Sequence, residues 1–151
     1  MKLSTKGRYG SRAMLDLALH YDPDGTPVSL GGIAGRQDIS EEYLEQIFST
    51  LRKSGIVESV RGAQGGYRLG RPADKITIGD ILRSLEGSLA PVDCVKEGTP
   101  ADCERCDECV MRGVWQKLRD SINSAVDSVT LADLTEEYSA MKHKGDFMYY
   151  I

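Results

Sequence analysis

All four cysteines of this 151-residue chain stand in one short run, CVKEGTPADCERCDEC: Cys94, Cys103, Cys106 and Cys109. The spacing is C-x8-C-x2-C-x2-C. Thiolates this close together ligate structural zinc in a closed tetrahedron or an iron–sulfur cluster, or they oxidise reversibly to disulfides. Spacing alone does not choose between zinc and a cluster. Gly98 and Pro100 make the first half of the run a loop, and Val95 is its one large apolar residue, so the segment has no core of its own. A loop of this length in a compact domain usually has a function, and a bound metal centre would hold it in place. The basic N-terminus MKLSTKGRYG is not followed by a plain apolar run, which argues against a signal peptide. The expected location is cytoplasmic, where thiols stay reduced. No paired catalytic carboxylates and no nucleophile motif accompany the thiols, and His20 and His143 are far apart in sequence, so an enzyme is not expected. His20 reads as a helix-end or core histidine.

The elements that position these residues follow from periodicity. The chain is 40% hydrophobic and 28% charged, as expected of a soluble globular protein, and no apolar run is long enough to span a membrane. Residues 4–21 predict a helix capped by Ser4 or Thr5, with Met14, Leu15, Ala18 and Leu19 as its apolar face and Tyr9 or Leu17 at its margins. Lys2, Lys6, Arg8 and Arg12 crowd its first turns, against the helix dipole, so an outside anion such as phosphate is expected to use that charge. After the turn cluster DPDGTP, Ser29 caps a short glycine-containing helix, Asp38-Ile39 turns, and Ser40 caps a helix over 41–54. The last of these buries Leu44, Ile47, Phe48 and Leu51 at i, i+3, i+4, i+7. This is a helix-turn-helix. Its outward face presents Ser40, Tyr43, Glu45 and Gln46 toward base edges.

Gly55 ends that helix, and two short strands flank a glycine-rich tip: Val57–Arg61, then Gly62–Gly66, then Tyr67–Gly70. A hairpin in this place is a wing. Arg61, Arg68 and Arg71 would charge it, while Gln64 and Gly65 at the tip can come close to DNA. The tip lacks the Gly-Lys-Ser/Thr ending of an NTPase loop. Residues 1–71 hold ten Lys/Arg against eight Asp/Glu, and residues 72–151 hold nine against fifteen, which suits a DNA-facing half joined to an acidic one. Thr77 caps a helix with Ile78, Ile81, Leu82 and Leu85 facing inward, and Gly87 stops it. Beyond the cysteines, Val110, Val114, Leu118, Ile122, Ala125 and Val129 form a stripe expected to pair with its copy in a two-fold homodimer. Thr130 opens a last helix carrying Leu131, Leu134, Tyr138 and Met141.

The stretches MKLSTKGRYGSRAMLDLAL and ISEEYLEQIFSTLRKSGIVESVRGAQGGYRLG, followed by three cysteines in order, closely resemble the IscR-like family of bacterial winged helix-turn-helix regulators over roughly residues 1–135. The resemblance implies a homodimeric transcription factor on a palindromic operator of double-stranded DNA. Its iron–sulfur members hold a cluster, most often [2Fe–2S], on three cysteines that match Cys94, Cys103 and Cys109. Cys106 is an additional thiol, expected to be dispensable or only supplementary to these three. The positions that supply a fourth ligand in some members are Arg112 and Arg8 here. Ser40, Tyr43, Glu45 and Gln46 match the family's recognition helix and Arg61 its wing; Lys6 and Arg8 complete the expected DNA contacts. A second reading is a cluster-free, CymR-like regulator of cysteine metabolism controlled by a protein partner. A third is a zinc-stabilised interaction module.

The expected fold is therefore mainly α. Residues 1–88 form a winged helix-turn-helix domain with a β-hairpin wing, 89–109 the cysteine loop, 110–143 the dimerisation helices and 144–151 a tail. The polar run Lys142–Gly145 is expected to break the last helix before that tail. The tail either folds back or acts as a short carboxylate-ended motif. In the second case Tyr150 and Ile151 would dock into cysteine synthase, because an Ile-terminated tail is similar to the peptide that enzyme accepts from serine acetyltransferase.

Overall fold

The computed structural model describes residues 2–98 and 102–148. Helix α1 (Thr5–His20) is followed by α2 (Leu30–Gln37), α3 (Glu41–Lys53), the antiparallel strands β1 (Val57–Val60) and β2 (Gly66–Leu69), then α4 (Ile78–Glu86), α5 (Met111–Asp127) and α6 (Leu131–Met148). The expected caps form. Ser4, Ser29 and Ser40 hydroxyls accept from backbone N–H groups at the starts of α1, α2 and α3, and Thr77 and Asp80 cap α4 reciprocally. Asp38 adopts φ 54°, ψ 51°, a left-handed turn that an Asp side chain tolerates better than most.

The core gathers around α3, whose Leu44, Ile47, Phe48 and Leu51 are fully buried. Helix α1 meets it with Gly10, Ala13, Met14 and Leu17, not with the expected Met14–Leu15–Ala18–Leu19 face. Met14 is common to both, and Leu17, expected at the margin, lies at the centre of the buried side. Glycine carries no hydropathy signal, yet a Cβ on Gly10 would collide with Leu85 and crowd Ile47, so this is the side on which the helices come closest. Leu15, Ala18 and Leu19 are half-buried.

Two backbone pairings were not legible in the sequence. Val28 pairs with Tyr67, donating to Tyr67 O at 3.0 Å and accepting from Tyr67 N at 2.8 Å, so the hairpin is fastened to the entrance of α2. Gly66 lies against Val28 O, where a Cβ has no room. Ile78 N donates to Val129 O at 2.9 Å and Leu131 N to Ile76 O at 2.9 Å, tying the start of α6 to the start of α4. Leu131 is fully buried in the core, so α6 begins inside the reading head. The helix also runs through Lys142–Gly145 to Met148, where a break was expected. Thr130 and Asp133 cap it reciprocally, and the backbone hydrogen bond from Thr130 holds the Asp133 carboxyl below its ordinary value.

The expected α5 stripe divides. Ile122, with Val126, Leu82 and Leu89, lines a small cleft against α4, whereas Val110, Val114 and Leu118 are exposed together with Met111. Ala125 is exposed as well.

Asp16 is the one buried charged residue of the described chain, 2% exposed on α1. Arg36 donates Nε and Nη2 to its carboxylate at 3.1 and 2.7 Å, and Gln37 Nε2 adds a bond at 2.9 Å. Burial pushes this carboxyl up; the hydrogen bonds from Arg36 and Gln37 and the Arg36 charge outweigh it and hold the group below its ordinary value. The stabilisation is present above the unfolded carboxylate pKa of about 3.9 and is lost as pH falls through the lower folded value. Arg36→Met leaves a buried carboxylate without its cation and should cost about 3 kcal/mol at neutral pH. Urea denaturation should show the gap between wild type and variant narrowing below about pH 4. A gap independent of pH would show that Asp16 does not depend on Arg36.

Candidate nucleic-acid interface and cysteine loop

The exposed face of α3 carries Ser40, Glu45 and Gln46, as expected. Ser40 Oγ is engaged as the helix cap, accepting from Tyr43 N at 3.2 Å, so it fixes the start of the recognition helix before it can meet a base. Tyr43 is half-buried. Its ring meets Tyr9 edge to face, centroids 6.1 Å apart, and the Arg12 guanidinium lies 5.6 Å from the Tyr9 centroid. This stack sets α1 against the N-terminal half of α3. At the other half, Lys6 Nζ reaches Thr50 Oγ1 at 3.5 Å. Arg8 is exposed and its Nη2 donates to Thr5 Oγ1 at 3.3 Å. Lys6, Arg8 and the recognition helix therefore belong to one neighbourhood. Arg52 and Lys53, exposed at the end of α3, add positive charge that was not assigned to DNA contact from the sequence.

Of the three expected wing arginines, Arg61 is the one with no hydrogen bond or ion pair among the described residues. Arg61 and Gln64 are exposed at the tip, and Gly65 N donates to Gly62 O at 3.0 Å to close the turn. Arg68 instead turns back, donating to Gly25 O at 3.1 Å, and Arg71 pairs with Asp80 at 3.4 Å. Both brace the hairpin against the body.

A carboxylate within the chain also meets the start of α1, at Ser4 and not at the basic side chains. Glu86 Oε1, at the end of α4, accepts from Ser4 N at 2.6 Å and Ser4 Oγ at 2.5 Å. Its carboxylate also passes so close to Gly7 that a Cβ there would collide with it. A negative charge at this place complements the helix dipole that Lys6 and Arg8 oppose. A contact 82 residues away in sequence has no local signal.

The cysteine loop is fastened at its first half only. Cys94 sits half-buried in a short 3-10 turn, Asp93–Val95, with Val95 2% exposed. Arg119 Nη1 donates to Val95 O at 3.0 Å and Asn123 Nδ2 to Glu97 Oε1 at 2.6 Å, so α5 holds this arm. The hydrogen bond and charge of Lys96 hold the Asp93 carboxyl below its ordinary value. Beyond residues 99–101, the second arm winds through turns closed by Cys106 N to Cys103 O at 3.1 Å and Glu108 N to Arg105 O at 3.2 Å, then enters α5 with Arg112 N to Cys109 O at 3.1 Å. Cys103 and Cys109 are exposed, Cys106 half-buried, and all four thiols are free. Among the described residues no three His, Cys, Asp or Glu side chains converge. The donor types suit a thiolate-ligated centre, but their positions here do not enclose one. Arg112, where some relatives of the resembled family carry a histidine, has a buried Nε without a hydrogen-bond partner. His20 is a helix-end residue, its Nδ1 2.8 Å from Asp16 O. Tyr150 and Ile151 lie outside the described residues.

Glu86→Ala removes both Ser4 bonds and should cost about 1–2 kcal/mol. Amide exchange should quicken over the first turns of α1 and stay unchanged in the centre of α3. Unaltered exchange at α1 would show that the carboxylate does not hold the helix start.

The family of iron-dependent transcriptional regulators, Rrf2, matches residues 3–137. The chain is 43% identical to the HTH-type transcriptional regulator CymR of Bacillus subtilis over 151 residues, 100% of both chains. It is 43% identical to the regulator IscR of Vibrio atlanticus over 142 residues, 94% of this chain and 79% of that one. The solved structure of B. subtilis CymR superposes with a TM-score of 0.72 at 44% identity, covering 91% of this chain and 98% of that one. That of T. potens IscR gives 0.71 at 47% identity, covering 91% and 88%. These relatives are regulators and not enzymes, and no helix of the described residues is long and apolar enough to cross a membrane. With its winged helix-turn-helix fold, the chain belongs to the Rrf2 family and is a DNA-binding transcriptional regulator.

Proposed function

We propose that the protein is a homodimeric regulator whose hold on a palindromic operator responds to an iron–sulfur cluster carried by its cysteine loop. The observation that carries this reading is the confinement of four free thiols to one loop, which α5 grips at one arm and leaves exposed at the other. Cys94, Cys103 and Cys109 are the ligands, as in the resembled family, with Cys106 supplementary. Closing the loop on a [2Fe–2S] centre would supply electrostatic and ligation energy that the loop's own apolar content cannot. The unsatisfied Arg112 Nε suits an anionic, thiolate-rich neighbour. The exposed Val110, Met111, Val114 and Leu118 face is the surface for the second copy, an isologous pairing.

The DNA contacts follow from exposure. Gln46 and Glu45 face base edges; Lys6, Arg8 and Arg61 meet phosphate or the minor groove, with Gln64 and Gly65 at the wing tip. Half-sites would lie about one helical turn, roughly 34 Å, apart.

A second reading has its own observation: the match to CymR extends over the full length of both chains, and that protein is described as the global cysteine regulator of B. subtilis. On this reading the loop carries no cluster, the input is a protein partner, and Tyr150 and Ile151 dock into cysteine synthase. A loop closed by zinc on four thiolates is the remaining alternative.

Protein purified without oxygen should be coloured and contain iron. Iron should be lost in Cys94→Ala, Cys103→Ala and Cys109→Ala and retained in Cys106→Ala. A colourless protein with stoichiometric zinc, or a colourless metal-free one that binds cysteine synthase through its tail, would overturn the cluster reading. Arg61→Ala should weaken operator binding by about tenfold to a hundredfold, and wild-type affinity should fall steeply with salt. Normal binding by Arg61→Ala at moderate salt would remove the wing from the interface.

A further inference from the structure

Between α1, α2 and α6 lies a groove of about 750 Å³ that neither DNA reading nor the thiols use. Its size falls within the roughly 300–1,000 Å³ usual for small-molecule sites. The floor is the half-buried pair Leu15 and Leu19, the residues of α1 that the core left over. One wall is Tyr138, whose ring holds the Lys142 ammonium 5.2 Å from its centroid. The opposite wall is the Asp16–Arg36–Gln37 cluster, with Arg12 donating Nη2 to Gln37 O at 2.8 Å.

The charge of this lining is one-sided. Asp16 is its only carboxylate, and Arg36 already neutralises it. Arg12 and Lys142 form no ion pair among the described residues, in a chain whose net charge is −4. His20 adds a ring nitrogen, since Nδ1 alone is taken by Asp16 O, and His143 adds a second imidazole. The cationic donors of Arg12 and Lys142 therefore stand at the rim, with apolar surface beneath them.

We propose that this groove binds a small organic anion, a carboxylate or phosphate head on a short apolar body. The head pairs with Lys142 and Arg12; the body lies on Leu15 and Leu19 against Tyr138. The site spans the reading head and the outer half of α6, so its occupant bridges the two. Arg12 also stacks on Tyr9, which touches Tyr43 of the recognition helix, so two contacts link the ligand's partner Arg12 to the DNA-facing helix. The inference is independent of the cysteines and holds whether or not the loop carries a cluster.

Calorimetric titration of the full-length protein tests it with phenyl phosphate and phenylacetate, which share a body and differ in head. Inorganic phosphate and acetate give the heads alone, and benzyl alcohol gives the body. At least one of the two composite probes should bind saturably at one site per chain at millimolar concentration or below, about tenfold tighter than its head alone. The preferred probe tells a phosphate from a carboxylate ligand. Lys142→Met should weaken it about tenfold, while Lys144→Met, an exposed lysine outside the groove, should not. Absence of saturable binding by both probes, or equal loss in the two lysine variants, overturns the proposal. So does a Lys142→Met protein that loses operator affinity without any probe present, which would make the groove part of the DNA footprint.

Discussion

Burial of the α3 stripe is the constraint on which the rest of the molecule depends. Leu44, Ile47, Phe48 and Leu51 leave no surface exposed, and each large apolar side chain so buried contributes about 1.5–3 kcal/mol. Phe48 also meets Tyr67 of the wing edge-on, with centroids 4.9 Å apart. One helix thus orients the hairpin, receives α1 on its flank and keeps its polar face outward. Moving the stripe by one position would turn Gln46 and Glu45 away from solvent and swing the wing with them.

Around that core, polar contacts decide how the peripheral parts attach. Glu86 links α4 to the first turn of α1, Arg83 links α4 to Asp127 and Asn123 of α5, and Arg119 and Asn123 link α5 to the first arm of the cysteine loop. The loop and the basic start of α1 are therefore two helices apart. Contiguity of this kind is the physical setting for coupling, which itself requires two states of different affinity for DNA.

The reading head and the cysteine loop are built separately. The head is closed by apolar burial and caps. Among its described residues the cysteine loop contributes two buried large side chains, Leu89 and Val95, so its chemistry can change with little cost to the fold. That is why resemblance to both IscR and CymR relatives is compatible with a single architecture.

The sequence by itself determined the helices, their caps, the hairpin and the inward face of α3, because each rests on local chemistry: a hydroxyl before a helix, a glycine after one, apolar residues at a helical period. It also determined the donor set, since four thiols in one loop need no structure to be noticed. Tertiary structure decided what local patterns do not encode. The α1 face was set by Gly10, which has no hydropathy but permits close approach. Arg68 and Arg71 were withdrawn from the wing by Gly25 O and Asp80, while Arg61 was left outside. Glu86 became the anion of the α1 terminus from a position 82 residues away. Leu131 entered the core because Ile78 N bonds to Val129 O and Leu131 N to Ile76 O, and backbone pairing leaves no mark on side-chain identity.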